Sequence, residues 1–315
     1  MRAAKTVTPP HLNSPSDLKN KESILGFLFL FILGLTWGSS YILIKKGLIA
    51  FSPLQVAMLR FGISGLAFLP LAFRYIFKLT SKEKWGLVWV GLLGSGLPAI
   101  LFALAQTKIS SSMAGILSSF TPLATYLFGL LFFGILFHVK KFWGVIIGLA
   151  GAIVMIALNS QGALDGEFTY GFLVILATVC YAINSNLIKH YFQNYSPFLI
   201  ATVSFSITGV PVFAMLFLTD FTTVLAEHPH GWASLGYLVI LAIFGTVVAS
   251  IIFFKLVQMT DALFASSVSY LVPLFAVFWG VLDGERLEWF HFLGMVLILA
   301  GIYFSRVQKP SRTGR

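Results

Sequence analysis

Ten stretches of almost unbroken apolar residues run through the chain, at 24–44, 54–73, 85–106, 112–134, 142–158, 170–188, 198–218, 233–257, 262–282 and 289–305. About twenty apolar residues in helical form match the hydrocarbon core of a bilayer. Inside that core each backbone N–H and C=O must find its partner within the protein, so the choice is between helices and a closed barrel. Barrel strands alternate polar and apolar residues over about ten positions, whereas these stretches are continuous, and they predict ten transmembrane helices. With 58% hydrophobic and 10% charged residues, against about 25% charged in soluble domains, the surplus apolar surface has to face membrane lipid. The chain is read as an all-α, multi-pass protein of the cell membrane.

The formal net charge of +10 raises the question of a nucleic-acid partner, and the placement of the charges answers it. If the amino terminus is cytoplasmic, sixteen of the 21 Lys and Arg fall in inside segments, four in outside loops, and Arg60 within a span. That bias fits the positive-inside rule with both termini in the cytoplasm, so no nucleic-acid partner is inferred. Residues 1–23, polar and carrying Pro9, Pro10 and Pro15, read as a disordered cytoplasmic tail, and 306–315 as a basic one. The first apolar stretch is long and lacks a small-residue cleavage site, so it is read as the first span. The single cysteine, Cys180, permits no intrachain disulfide.

The chain also repeats itself. At an offset of 144, "LIKKGLIAFSPLQVAMLRFGISG" from Leu43 matches "LIKHYFQNYSPFLIATVSFSITG" from Leu187, sharing Ser52/Ser196, Pro53/Pro197, Phe61/Phe205 and Gly65/Gly209. At 151, "MAGILSSFTPLATYLFGLLF" matches "FASSVSYLVPLFAVFWGVLD", sharing Ala114/Ala265, Ser118/Ser269, Pro122/Pro273 and Gly129/Gly280. The repeat divides the chain into two five-helix units, 24–158 and 170–305. Five is odd, so the two copies insert in opposite orientations, a common construction of secondary transporters.

These sequences resemble the EamA family of the drug/metabolite transporter superfamily. The residues that carry the likeness are "LTWGSSYILIKKGL", "SPLQVAMLRF" and "SVSYLVPLFAVFWGVLDGERLEWFHFLGMVLILAGIYF". The resemblance implies ten helices, cytoplasmic termini, and a central cavity lined by the first, third, fourth, sixth, eighth and ninth. It implies export or exchange of amino acids, other metabolites, nucleotide-linked compounds or drugs. This chain departs from the pattern twice. The first half lacks a twin of Glu285 and Arg286, and Ser204 stands opposite Arg60, where a second arginine is often expected.

Polar residues inside spans are the candidate substrate contacts. Trp37 and Ser40 interrupt the first span, and Tyr181 and Asn184 the sixth, at the same 144 offset; lining a cavity and bonding between helices are both open to them. Ser118 and Pro122, like Ser269 and Pro273, lie four apart on one helix stripe. Each proline removes a helix hydrogen bond, giving either a kink that frees carbonyls beside a cavity or a packing bend. Arg60, about 9 Å from the outer end at 1.5 Å per residue, either snorkels or captures a substrate carboxylate. Gln106, Tyr126, Thr246, Ser250, Ser267 and Tyr270 add neutral donors and acceptors. Lys45 and Lys189 read as caps of their own helices. His228 and His230 in "EHPHGW" read as a solvated loop; no metal and no cofactor are expected.

The expectation is an alternating-access carrier for a small organic metabolite such as an amino acid, an amine or a drug-like solute, working as an exporter. A membrane enzyme acting on a lipid is the alternative, but the carboxylates are scattered on the outside and form no acid pair. All eleven carboxylates fall in tails, loops or span ends, which points to facilitated diffusion or exchange over proton coupling. Substrate identity and oligomeric state are not written in the sequence.

Overall fold

In the computed structural model, residues 15–109, 111–158 and 168–282 and several positions between 289 and 304 are described. The two ends of the chain, Glu285, Arg286 and His291 lie outside the described residues. Every extended element among those described is helical. The longer helices are α1 (Pro15–Gly47), α2 (Pro53–Ile76), α3 (Ser81–Ala105), α5 (Val139–Leu158), α6 (Phe168–Tyr191), α7 (Pro197–Leu216) and α8 (Gly231–Met259). Between them, α4 joins Ser111–Leu117 to Thr121–Phe132 through a 3₁₀ turn, and α9 joins Ala262–Ser266 to Val268–Leu282 at Ser267. Six of these helices are long and apolar enough to cross a membrane, namely α1, α2, α3, α6, α7 and α8.

Capping accounts for several starts. Ser52 accepts from the Gln55 amide while the Gln55 side chain accepts from the Ser52 amide, with Pro53 opening α2. Thr80 and Glu83 do the same for α3. Two elements differ from expectation. Helix α1 begins at Pro15, so the last part of the tail read as disordered is helical, with proline at a position that suits it. A short helix, Phe221–Glu227, stands in the loop before α8, its Phe221 ring packed on Phe51 at 5.6 Å.

Helices of one half pack chiefly on helices of the other. α2 and α7 run antiparallel, Gly62 against Phe213, Gly65 against Gly209 and Tyr75 against Phe198. A Cβ on Gly209 would stand 2.6 Å from the Phe61 carbonyl oxygen, so only glycine permits this approach. α1 runs parallel to α9, from the Phe27 and Phe264 rings to Ser39, which accepts a 2.6 Å hydrogen bond from Trp279. In the same sense α6 follows α4, where Asn186 donates to the Thr125 carbonyl at 3.0 Å. Antiparallel partners complete each side: α8 on α1 through Gly47 and Leu238, and α3 on α6 through Gly86 and Phe192. Thus α1 and α6 are each embraced by the third and fourth helices of the opposite half, and the space between the two sets is the cavity.

Candidate functional site

Both α3 and α8 loosen by one π-helical turn where they pass the cavity, at Leu92–Gly96 and Ile243–Val248. Such turns add a residue to the helix and re-aim side chains, and they recur at functional sites. Here they correspond across the repeat: Gly94 with Gly245 and Ser95 with Thr246, at an offset of 151. Each glycine lets a polar side chain of the opposite half approach. A Cβ on Gly94 would meet Asn184 at 2.7 Å, and one on Gly245 would meet the Ser40 hydroxyl at 2.9 Å.

The cavity between them encloses about 810 Å³ of empty space, part of it open to solvent. Its walls are hydroxyl-rich and aromatic, and Arg60 is the charged residue among those that line it. Arg60 is 8% exposed and its Nε donates to Thr246 Oγ1 at 3.0 Å. Among the described residues the ion pair is Lys141 with Asp261, so the guanidinium lacks a carboxylate partner there. A buried charge without a counter-ion carries a desolvation penalty, which an anionic group entering the cavity would offset.

The apolar wall is built from rings. Trp37 donates its Nε1–H to the Gly245 carbonyl at 3.0 Å and packs on Phe253 at 5.2 Å. Phe102 stacks on Tyr181 at 6.1 Å and meets Tyr41 edge-on at 5.6 Å. Two further polar atoms of the lining, Ser95 Oγ and Asn184 Oδ1, are buried and have no hydrogen-bond partner. Orphans of this kind cost about 1–3 kcal/mol each; Gln106 Nε2 and Thr202 Oγ1, away from the lining, are in the same state.

The model of the EamA-like transporter family matches residues 24–157 and again 169–307. The chain belongs to that family. This EamA-like chain is 29% identical over 284 residues, 89% of its length and 90% of the other, to the uncharacterized inner membrane transporter YedA of Escherichia coli strain K12. It is 26% identical over 303 residues, 91% and 95% of the two lengths, to a protein of the same strain named as a probable amino-acid metabolite efflux pump. One solved structure superposes with a TM-score of 0.66 at 18% identity, covering 91% of this chain and 96% of that one, which shows a shared fold. The EamA-like chain is a multi-pass membrane transporter of the cell membrane.

Of the residues singled out in the sequence, the EamA-like cavity brings together Trp37, Ser40, Arg60, Ser118, Tyr181, Asn184, Thr246, Ser250 and Ser269. Six others lie outside its lining. The Tyr126 hydroxyl accepts from the His138 amide at 2.8 Å, and the Tyr270 hydroxyl donates to the Val145 carbonyl at 3.1 Å, so both hold the α4 and α9 helices to their surroundings. Gln106 caps the end of α3 and accepts from Ser111 at 3.2 Å. Pro122 and Pro273 stand behind the wall, and the carbonyls they free are already used: Ser118 O accepts from Thr121 Oγ1 at 2.6 Å, and Ser269 O from Ser119 Oγ at 3.1 Å. Ser267 likewise spends its hydroxyl on the Phe264 carbonyl at 2.6 Å.

Other readings shift with the geometry. Lys189, in the last turn of its own helix, also donates to the Gln258 and Thr260 carbonyls at 3.2 and 2.7 Å, so it reaches the end of α8 as well. His228 accepts from the His230 amide within a turn. Cavity residues that the sequence reading passed over include Gly94, Ser95, Phe102, Thr121, Phe253 and Ser266. Extending the repeat comparison into the third helix would have exposed Gly94/Gly245 and Ser95/Thr246.

Proposed function

We propose that this transporter is an alternating-access carrier that exports a small organic metabolite bearing a carboxylate. One observation carries the reading: a buried arginine faces a polar and aromatic cavity and has no carboxylate partner among the described residues. The carboxylate would sit on the guanidinium, which offers paired donors in the matching geometry. The rest of the solute would lie on the ring wall of Trp37, Phe102, Tyr181 and Phe253. A cationic amine would meet the Arg60 charge with nothing on the described lining to offset it, so an amine alone is the poorer candidate. The efflux-pump name of one relative is in keeping with outward transport.

Ten spans, cytoplasmic termini and the two units 24–158 and 170–305 belong to the same proposal, with the two units exchanging conformations about the cavity. A reporter fused after Lys141 then lies inside and one after Gly162 outside; the reverse result overturns the topology. Energy coupling follows the substrate gradient, by facilitated diffusion or exchange, because the described lining carries no carboxylate or histidine to hold a proton. The decisive experiment compares metabolites inside and outside cells with the protein, without it, and with Arg60→Gln. Accumulation outside of carboxylate-bearing solutes, lost in the variant, supports the carrier; unchanged profiles refute it. In proteoliposomes, concentrative uptake that follows an imposed pH gradient and is abolished by Glu285→Gln or His291→Ala would overturn the coupling.

A further inference from the structure

Side chains tie the end of α6 to the end of α8. Lys189 donates to the Gln258 and Thr260 carbonyls, and the Gln258 amide donates in return to the Phe192 and Tyr195 carbonyls at 2.9 and 2.7 Å. The repeat puts the same residue types at the opposite end of the molecule. Lys45 corresponds to Lys189 at an offset of 144, Leu48 and Phe51 correspond to Phe192 and Tyr195, and Gln106 lies 152 before Gln258, one residue from the register of Gly94 and Gly245. There the ties are not made. Lys45 is exposed and has no hydrogen bond or ion pair among the described residues, and Gln106 Nε2 is buried without a partner. Ser111 donates to Gln106 Oε1 at 3.2 Å, which fixes the amide and leaves its N–H groups unused. Other repeat-related contacts are made at both ends. Glu83 and Ser234, 151 apart, join the start of α3 to Tyr195 and the start of α8 to the Lys46 carbonyl. The difference between the ends is therefore concentrated in the α1–α3 and α6–α8 ties.

We infer that Lys189 with Gln258, and Lys45 with Gln106, are two alternating latches, the first closed and the second open in this structure. When the first opens, Gln106 donates to the Leu48 and Phe51 carbonyls and Lys45 to carbonyls at the end of α3. This rests on the alternating-access reading and not on Arg60: two inverted halves that exchange conformations exchange their contacts too, so a tie made at one end is the template for the other. The unpaired Gln106 amide is a cost of the present state that closing its latch recovers, while Gln258 and Lys189 then lose their acceptors. Each state thus leaves one set of donors unmet, which keeps the two close in free energy and lets a bound solute shift the population. None of the four residues lines the cavity, so they set which face is open without touching the solute.

The test places one reporter cysteine in the cavity wall, Ser269→Cys, in the full chain with the native thiol removed by Cys180→Ser. A membrane-impermeant maleimide is applied from outside to intact cells and from inside to inverted membrane vesicles, and the two labelling rates are compared. Gln258→Leu and Lys189→Met open the closed latch, at the end that the topology proposal places inside. Each should raise the ratio of inside to outside labelling by about threefold or more, the weight of one or two hydrogen bonds. Gln106→Leu and Lys45→Met disable the other latch and should lower the same ratio by a similar factor. A variant that merely disturbs folding does not move the ratio in opposite directions at the two ends, and Gln106→Leu removes an orphan, so its thermal stability should hold or rise. Combining Gln258→Leu with Gln106→Leu should return the ratio toward that of the unaltered protein. Ratios that stay fixed, move the same way for both latches or move opposite to these directions overturn the latches and leave the carrier standing. Labelling rates that rise together at both faces mean an open passage, and overturn the carrier as well.

Discussion

The α2–α7 seam and the cavity wall are both contacts between the two halves, yet they are made in opposite ways. At the seam, Gly65 and Gly209 bring backbones together, and Phe61, Phe68 and Phe205 close over them in a ladder with ring centroids 5.8 and 5.9 Å apart. At the wall, the facing helices carry two π turns, a 3₁₀ turn and two prolines, and the hydroxyls of Ser40, Ser118, Thr121 and Ser185 are bonded to backbone carbonyls. A close-packed apolar contact resists small displacements because each shift forfeits dispersion or creates a clash. A helix whose regular ladder is already interrupted can rearrange by exchanging one hydroxyl partner for another. On the alternating-access proposal, constancy falls to the seam and motion to the wall.

The comparison breaks most visibly at the seam. Gly209→Leu should prevent accumulation of folded protein in the membrane, since overpacking costs about 1–3 kcal/mol in cores that can yield and here the obstacle is the Phe61 backbone. Normal abundance of that variant would refute the seam's fixed role. Next in size, Arg60→Ala should leave abundance near normal and lower transport by about tenfold or more, with Arg60→Lys recovering part of it. Loss of a buried charge partner costs about 2–5 kcal/mol. Equal transport at equal abundance would mean that the guanidinium only braces Thr246. Smaller again, Ser118→Leu and Ser269→Leu, which each push volume into the cavity, should cut transport about tenfold by the same overpacking range with protein amount kept. The smallest effect is expected at Lys141→Ala, which removes the 2.8 Å pair with the partly exposed Asp261. Pairs of this kind contribute about 0–1 kcal/mol, so transport should change by no more than about fivefold and respond to salt.

The seam was legible in the sequence and much of the wall was not, for physical reasons. Phe61/Phe205 and Gly65/Gly209 recur with their neighbours at one spacing, and the antiparallel pairing of α2 and α7 is what an inverted copy of one helix produces. Trp37, Ser40, Tyr181 and Asn184 stood out because polar atoms in an apolar run need a reason. Phe102 and Phe253 line the same cavity without such a mark, since a ring facing a cavity and a ring facing lipid are identical in a sequence. Ser95 was hidden in "LLGSGLP", where nothing in the sequence sets it apart; the π turn at Leu92–Gly96 and the approach of Asn184 to Gly94 are seen only in three dimensions. The prolines were read for their freed carbonyls, but in a membrane a freed carbonyl finds the nearest hydroxyl, and Thr121 and Ser119 supply it. Pro15 was taken as a mark of disorder, although the first turn of a helix suits it equally.

The unequal partners Arg60 and Ser204 have a consequence for why the two halves share one chain. Two identical subunits placed head to tail must present the same side chain on both walls, so an arginine on one wall entails an arginine on the other, and such a vestibule is built for a dianion. Fusion removes that obligation. Each copy can then be changed alone, and a single substitution turns a chamber with mirrored charges into one with a front and a back. A solute with two unlike ends can be told from its reverse only in a chamber of the second kind, so the covalent link between the halves is itself a determinant of what the protein can recognise.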